Sequence, residues 1–184
     1  MLAYVFWHAP QPATAARDYE AAHREFHEAL GQEPVAGLIG VRVFRLATIP
    51  WLDPPQAGYE DWHLLSGSTA LDVLNASAVS SRRLVPHERI AAMAACGTAG
   101  LYALRSGAPI MPTRAYWIAK PAGMSYLDFD RSMQPFIDGG ACLWGRRMTL
   151  GPTPEFCLHS TVEIVPPYAA QVMPLELMFG EDGN

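Results

Sequence analysis

"GLIGVRVFRLATIPWLDPPQAGYEDWHLL", residues 37–65, holds the pattern that decides the fold. Its first part, Gly37 to Ala47, is rich in Val, Ile and Phe and predicts a strand over Leu38–Leu46. The proline-rich stretch "TIPWLDPPQAG" then reads as a long exposed connection. After it, Tyr59–Leu65 alternates: Tyr59, Asp61, His63 and Leu65 share one face, and Glu60, Trp62 and Leu64 the other. Two such segments in succession form an antiparallel hairpin.

Upstream, the apolar run Ala3–His8 predicts a first strand, stopped by Pro10 and Pro12. Thr14 is positioned to cap a helix whose apolar residues Ala15, Tyr19, Ala22, Phe26 and Leu30 recur at helical spacing before Gly31. Downstream, Ser68 is placed to cap "TALDVLNASAV". Pro86 suits the first position of "PHERIAAMAAC", which Gly97 ends, and Leu101–Arg105 predicts a fourth strand. The order is β-α-β-β-α-β.

The pattern then starts again. "RAYWIAKP" from Arg114 matches "YVFWHAP" from Tyr4 in character, and Ser125 with Asp128 opens a second helix in the manner of a capping box. "LWGRRMTL" parallels "IGVRVFRL", laying Arg146 on Arg42, and "FCLHSTVEIV" follows as its hairpin partner. "PYAAQVMPLELMF" leaves room for a much-shortened helix and a last strand. The expected fold class is α+β: two tandem ferredoxin-like units with antiparallel sheets packed face to face. The first half covers 1–106, a Gly- and Pro-rich linker 107–112, and the second, shortened half 113–184.

Composition narrows the function classes. Among 184 residues half are hydrophobic and 17% charged, the balance of a folded globular chain. A net charge of −5 argues against a nucleic-acid partner, because only Arg82, Arg83 and Arg89, and the pair Arg146-Arg147, cluster at all. Cys96, Cys142 and Cys157 form no C-x-x-C and leave an odd count, which suits reduced thiols in a cytoplasm. "MLAYVFWHAP" lacks the basic start of a signal peptide and the length of a membrane span.

Two residue sets carry chemistry. In the first helix, Glu20, His23 and His27 lie at about 120°, 60° and 100° from Phe26, which places them on the boundary of the apolar stripe. A His pair four apart with a nearby carboxylate can hold a metal, but H-E-x-x-H is absent, so no metal is expected there. In the strands, Val41 and Val43 are expected to face the helices, turning Arg42 and Phe44 to the other side of the sheet together with Asp61 and His63. Tyr4 and His8 share a face of the neighbouring first strand, so the sets converge. On this reading His63, Asp61 and His8 are the candidate catalytic residues, His63 moving the proton, while Arg42, Arg146, Tyr4 and Phe44 bind a ligand of anionic or phenolic character. The bland alternative is an ion pair between Arg42 and Asp61.

With its "YEDW" strand, its "HREFHEALG" helix and its doubled element order, the chain resembles the ferredoxin-like dimeric α/β-barrel superfamily, including its EthD-like, antibiotic-biosynthesis-monooxygenase-like and chlorite-dismutase-like families. That resemblance implies a small-molecule enzyme, of cofactor-independent oxygenase or stress-response type, with a pocket between sheet and helices. The alternative is a non-catalytic ligand-binding or structural protein of the same fold. No cofactor is expected, since the second copy's helices carry no histidine to act as a haem ligand. A small-molecule ligand is the expected partner, with neither nucleic acid nor membrane, and pairing into a homodimer is open.

Overall fold

The computed structural model describes residues 1–180. The last four residues of the expected second half lie outside the described residues. In the first half the elements run β1 (Leu2–Pro10), α1 (Ala16–Gln32), β2 (Leu38–Ile49), β3 (Gln56–Leu65), α2 (Ser68–Ala78), α3 (Leu84–Met93) and β4 (Ala94–Ser106). There follow β5 (Arg114–Ile118), α4 (Tyr126–Asp138), β6 (Cys142–Arg146), β7 (Phe156–Ser160), β8 (Ala170–Pro174) and β9 (Glu176–Phe179). No helix among the described residues is long and apolar enough to cross a membrane.

All the strands join one antiparallel sheet in the order β8-β5-β7-β6-β4-β1-β3-β2-β9. Each half contributes its ferredoxin-like set, and β4 pairs with β6 to join them edge to edge, Leu104 opposite Trp144. At the far ends, β8 pairs with β5 and β9 with β2. Only Leu175 separates β8 from β9, so one stretch of chain supplies the strands at both ends of the sheet. The two expected sheets are joined into one continuous antiparallel sheet that wraps a shared core as a barrel.

The barrel encloses the main core. Trp7, Trp62, Trp117, Trp144, Phe44 and Tyr102 are buried there, from strands of both halves. Trp51, in the proline-rich connection, packs its ring 5.0 Å from Trp7 and 5.2 Å from Trp117 and so closes the barrel rather than covering a pocket. Glu60 points into the same core and accepts hydrogen bonds from the indoles of Trp7 and Trp62, each at 2.5 Å. Burial pushes its carboxyl up to about 7 in spite of those donors.

Local signals held unevenly. Ser125 Oγ accepts from Asp128 N at 3.1 Å, the expected cap of α4. Thr14 does not cap α1, whose N-cap is Ala15 with no side-chain bond. Ala94 to Cys96, expected in a helix, open β4 because they pair with β1. No helix forms between Ser160 and Ala170, where Pro166 and Pro167 interrupt the chain. Instead Tyr168 lies flat over Phe129, ring centroids 5.7 Å apart, and donates its hydroxyl to Ser132 at 2.9 Å, covering α4 with a loop.

His159 also faces the barrel core, opposite Cys142 and 4.4 Å from the Trp62 ring, and neither ring nitrogen has a hydrogen-bond partner among the described residues. Burial, and then the Arg42 charge, push its imidazole down to about 3. The unfolded chain takes up this proton first, so the residue's contribution is intact above about pH 6.5 and is lost as pH falls, by up to ~1.4 kcal/mol per unit. His159→Phe should flatten that loss. Between pH 6.5 and 4.5 its urea-unfolding free energy is expected to fall by ~2–3 kcal/mol less than the wild type's, and parallel curves would contradict the assignment.

Candidate functional site

On the outside of the barrel, α1, α2 and α3 cover the sheet of the first half. Register decides what faces them. Asp61 lies opposite Val43 on β2 and Phe6 on β1, while His63 lies opposite Val41 and Tyr4. Directly opposed residues share a face, so Tyr4, Phe6, His8, Tyr59, Asp61 and His63 all point toward the helices. Arg42 lies opposite Trp62, on the barrel side.

The expected grouping of Arg42 and Phe44 with Asp61 and His63 is therefore corrected. The sequence alternation of each strand was right, but Trp62 and Leu64 were assigned to the helix layer when they belong to the barrel core. Phe44 is fully buried in that core. Arg42 donates to the carbonyl of Ile110 and forms no ion pair with Asp61 in this arrangement. Arg146 binds the carbonyls of Gly151 and Thr153 in the loop that follows β6. None of these three reaches the helix-side cluster. Tyr4 does, its ring 5.8 Å from that of His63.

From above, α1 supplies two more imidazoles. His23 and His27 are each only 2% exposed. Their expected place at a helix boundary is corrected, and the reason lies in how the apolar stripe is shared. Phe26 and Ala22 on one flank pack with Ile90 of α3, so the other flank, with His23 and His27, turns down onto the sheet. Glu20 stays at the edge, where its carboxylate accepts from Arg45 at 2.6 Å and from the Tyr59 hydroxyl at 2.9 Å.

The result is four imidazoles around one carboxylate. Asp61 Oδ1 is 3.2 Å from His8 Nε2, and Oδ2 is 2.8 Å from His23 Nε2 and 3.3 Å from His27 Nε2. His63 stacks obliquely 5.6 Å from His27. On its other nitrogen, His8 meets Tyr19: Nδ1 is 2.6 Å from the hydroxyl. Among the described residues, Nδ1 of His23, His27 and His63 has no hydrogen-bond partner.

Electrostatics in the cluster follow from burial. Desolvation pushes the Asp61 carboxyl up, but His23 and His8 beside it, with the N–H donors of His23 and His27, outweigh that and hold it well below the usual carboxylate range. Burial lowers His8 and His27 against the pull of Asp61, and lowers His63 to about 4. At neutral pH the cluster is thus one carboxylate with neutral rings at His8, His27 and His63, a set of lone pairs rather than a set of cations.

A cavity of about 670 Å³ opens onto this cluster between the sheet and the helices. His8, His23, Asp61 and His63 form its polar end, and Phe26, Leu74 and Ile90 are among its apolar walls. His27 lies on the far side and borders a separate groove toward Met178 and Phe179.

Sequence reading had identified both halves of this cluster without joining them. The signal that could have joined them was the element order itself: in a β-α-β-β-α-β unit the first helix lies over the first and third strands, so His23 and His27 must look down on Asp61 and His63.

No family model matches the chain, and no curated protein is significantly similar to it in sequence. Solved structures do resemble it. A protein from Fusobacterium nucleatum subsp. nucleatum described as "Putative monooxygenase" superposes with a TM-score of 0.61 at 9% identity, covering 98% of this chain and 94% of that one. Another, described as "Putative Chlorite dismutase", gives 0.50 at 12% identity over 96% of this chain and 94% of that one. Identities this low carry the fold and not the activity. The chain thus shares its α+β fold with these two solved structures along nearly its whole length.

Proposed function

We propose that the protein is a small-molecule enzyme whose substrate, mostly apolar with one acidic hydroxyl, binds under α1–α3 with that hydroxyl against the Asp61–histidine cluster. The observation that carries this reading is the cavity itself: apolar walls of substrate size ending on convergent buried polar groups. Asp61, His8 and His63 keep the catalytic roles read from the sequence, now with His23 beside them. Tyr4 and Phe6 bound the cavity where the ligand ring would lie. Arg42, Arg146 and Phe44 have no part in it.

Oxygenation of a phenol or enol is the reaction class best suited to this site, and a structure of the same fold bears the description of a monooxygenase. A hydroxyl proton passes to an imidazole, which makes the ring electron-rich. With O₂, one oxygen atom enters the ring to give a quinone and the other leaves as water, the substrate supplying all the electrons.

Leu71, half-buried on α2, lines the cavity. Leu71→Trp is expected to fill it, abolishing the thermal shift given by 1-naphthol and at least about tenfold of any naphthol-dependent oxygen uptake, with stability changed by less than ~1 kcal/mol. If wild type shows neither shift nor uptake with naphthols, catechols and hydroxyquinones, the protein is a non-catalytic member of the fold.

A further inference from the structure

We propose that His8, His23 and Asp61, with His27 and His63 adjoining, bind one divalent first-row transition-metal ion. The inference concerns the same cluster as the proposed function but does not depend on its being catalytic. If correct, it replaces the cofactor-free site expected from the sequence.

The first ground is the donor set. Four of the chain's six histidines meet at a single carboxylate, all at most 6% exposed. Two overlapping triads result, His8–His23–Asp61 and His27–Asp61–His63, and within each the ligand-capable atoms all lie within 4.8 Å of one another. Two imidazoles with one carboxylate and an open position is the arrangement that binds iron(II), and three such ligands with an open position suit zinc. Neutral nitrogen donors argue against calcium and magnesium, which take oxygen.

The second ground is spacing. A metal about 2.0–2.1 Å from each ligand holds neighbouring ligand atoms about 2.8–3.4 Å apart, depending on whether the geometry is octahedral or tetrahedral. Asp61 stands 2.8, 3.2 and 3.3 Å from three Nε2 atoms, close to the edges of such a polyhedron. Hydrogen bonds alone fit these distances too, but as a means of satisfying one carboxylate they leave three buried Nδ1 atoms without partners among the described residues and the fourth ring, His63, superfluous.

The third ground is support and access. Tyr19 meets His8 Nδ1 and so fixes Nε2 as the atom facing the centre, the outer contact that a ligating imidazole requires. The cavity reaches His8, His23 and Asp61 directly, leaving one side of the centre open to an outside ligand. A divalent ion with the single Asp61 anion leaves a net positive centre, which favours an anionic oxygen such as a phenolate.

The test uses the full chain stripped with EDTA and titrated separately with Co²⁺, Zn²⁺, Fe²⁺ (anaerobically), Ni²⁺ and Cu²⁺. For at least one ion the expected result is one equivalent per chain, a raised melting temperature and, with Co²⁺, visible d–d absorption from nitrogen and oxygen ligands. His23→Ala and Asp61→Asn should each weaken binding by more than about 100-fold, exceeding what outer-contact changes cost. His87→Ala, outside the cluster, should bind as wild type does. Failure of folded wild type to bind any of the five ions stoichiometrically overturns the proposal, as does binding that survives both cluster variants. Naphthol shifts measured in EDTA report on the cavity separately, so the two readings fail independently.

Discussion

Asp61→Ala should cost the EDTA-treated protein about 3–5 kcal/mol, the range found when one partner of a buried charged network is removed. The carboxylate lies within hydrogen-bond distance of Nε2 of His8, His23 and His27, and its loss takes the shared partner from three buried ring nitrogens. Asp61→Asn keeps one acceptor oxygen and the side-chain shape, so its cost should be about 1–2 kcal/mol. Both variants should lose alike any naphthol-dependent oxygen uptake of the wild type, which separates the charge from the packing. Urea unfolding of the three proteins at neutral pH measures this. An Asp61→Ala variant as stable as the wild type would mean that the rings satisfy one another without the anion.

Trp62→Ala should cost about as much for an unrelated reason. Its ring lies 5.3 Å from Trp144, 6.1 Å from Tyr102 and 6.3 Å from Trp117, so its removal empties the centre of the barrel where the two halves meet. It also takes one of the two donors to Glu60, a fully buried carboxyl. The expected loss is about 4–5 kcal/mol, or a fall in melting temperature of roughly 10–15 °C for a chain of this length. Metal binding should be retained, since Trp62 faces away from the cluster. A small loss would indicate that the halves are held by their separate helix-covered cores rather than by the barrel.

Much of this architecture could be read from the residues. The repeat of element order, the strands at Ala3–His8 and Tyr59–Leu65 and the cap at Ser125 are all local signals, and the structure contains them. The joining of both halves into one sheet was not legible, because it depends on β4 pairing with β6 and on β8 and β9 pairing with strands far away in the sequence. The cluster was half legible. Alternation placed Asp61 with His63 and Tyr4 with His8, but a strand buried on both faces gives no sign of which apolar side meets the helices. Trp62 and Leu64 suggested a helix contact and in fact form the barrel core. For His23 and His27, the apolar stripe centred on Phe26 puts both rings at its boundary. Because α3 takes the Phe26 flank, the buried arc is wider than the apolar residues alone define.

The account stands most directly on what occupies the space between Asp61 and the imidazoles. Anomalous diffraction from crystals of the cobalt-loaded protein, recorded on both sides of the metal's absorption edge, would locate it. The account predicts one peak about 2.0–2.2 Å from an Asp61 oxygen and from Nε2 of at least two of His8, His23 and His27, with one side open to the cavity. Cobalt bound only at the surface, with Asp61 still accepting N–H bonds directly from the rings, would contradict it.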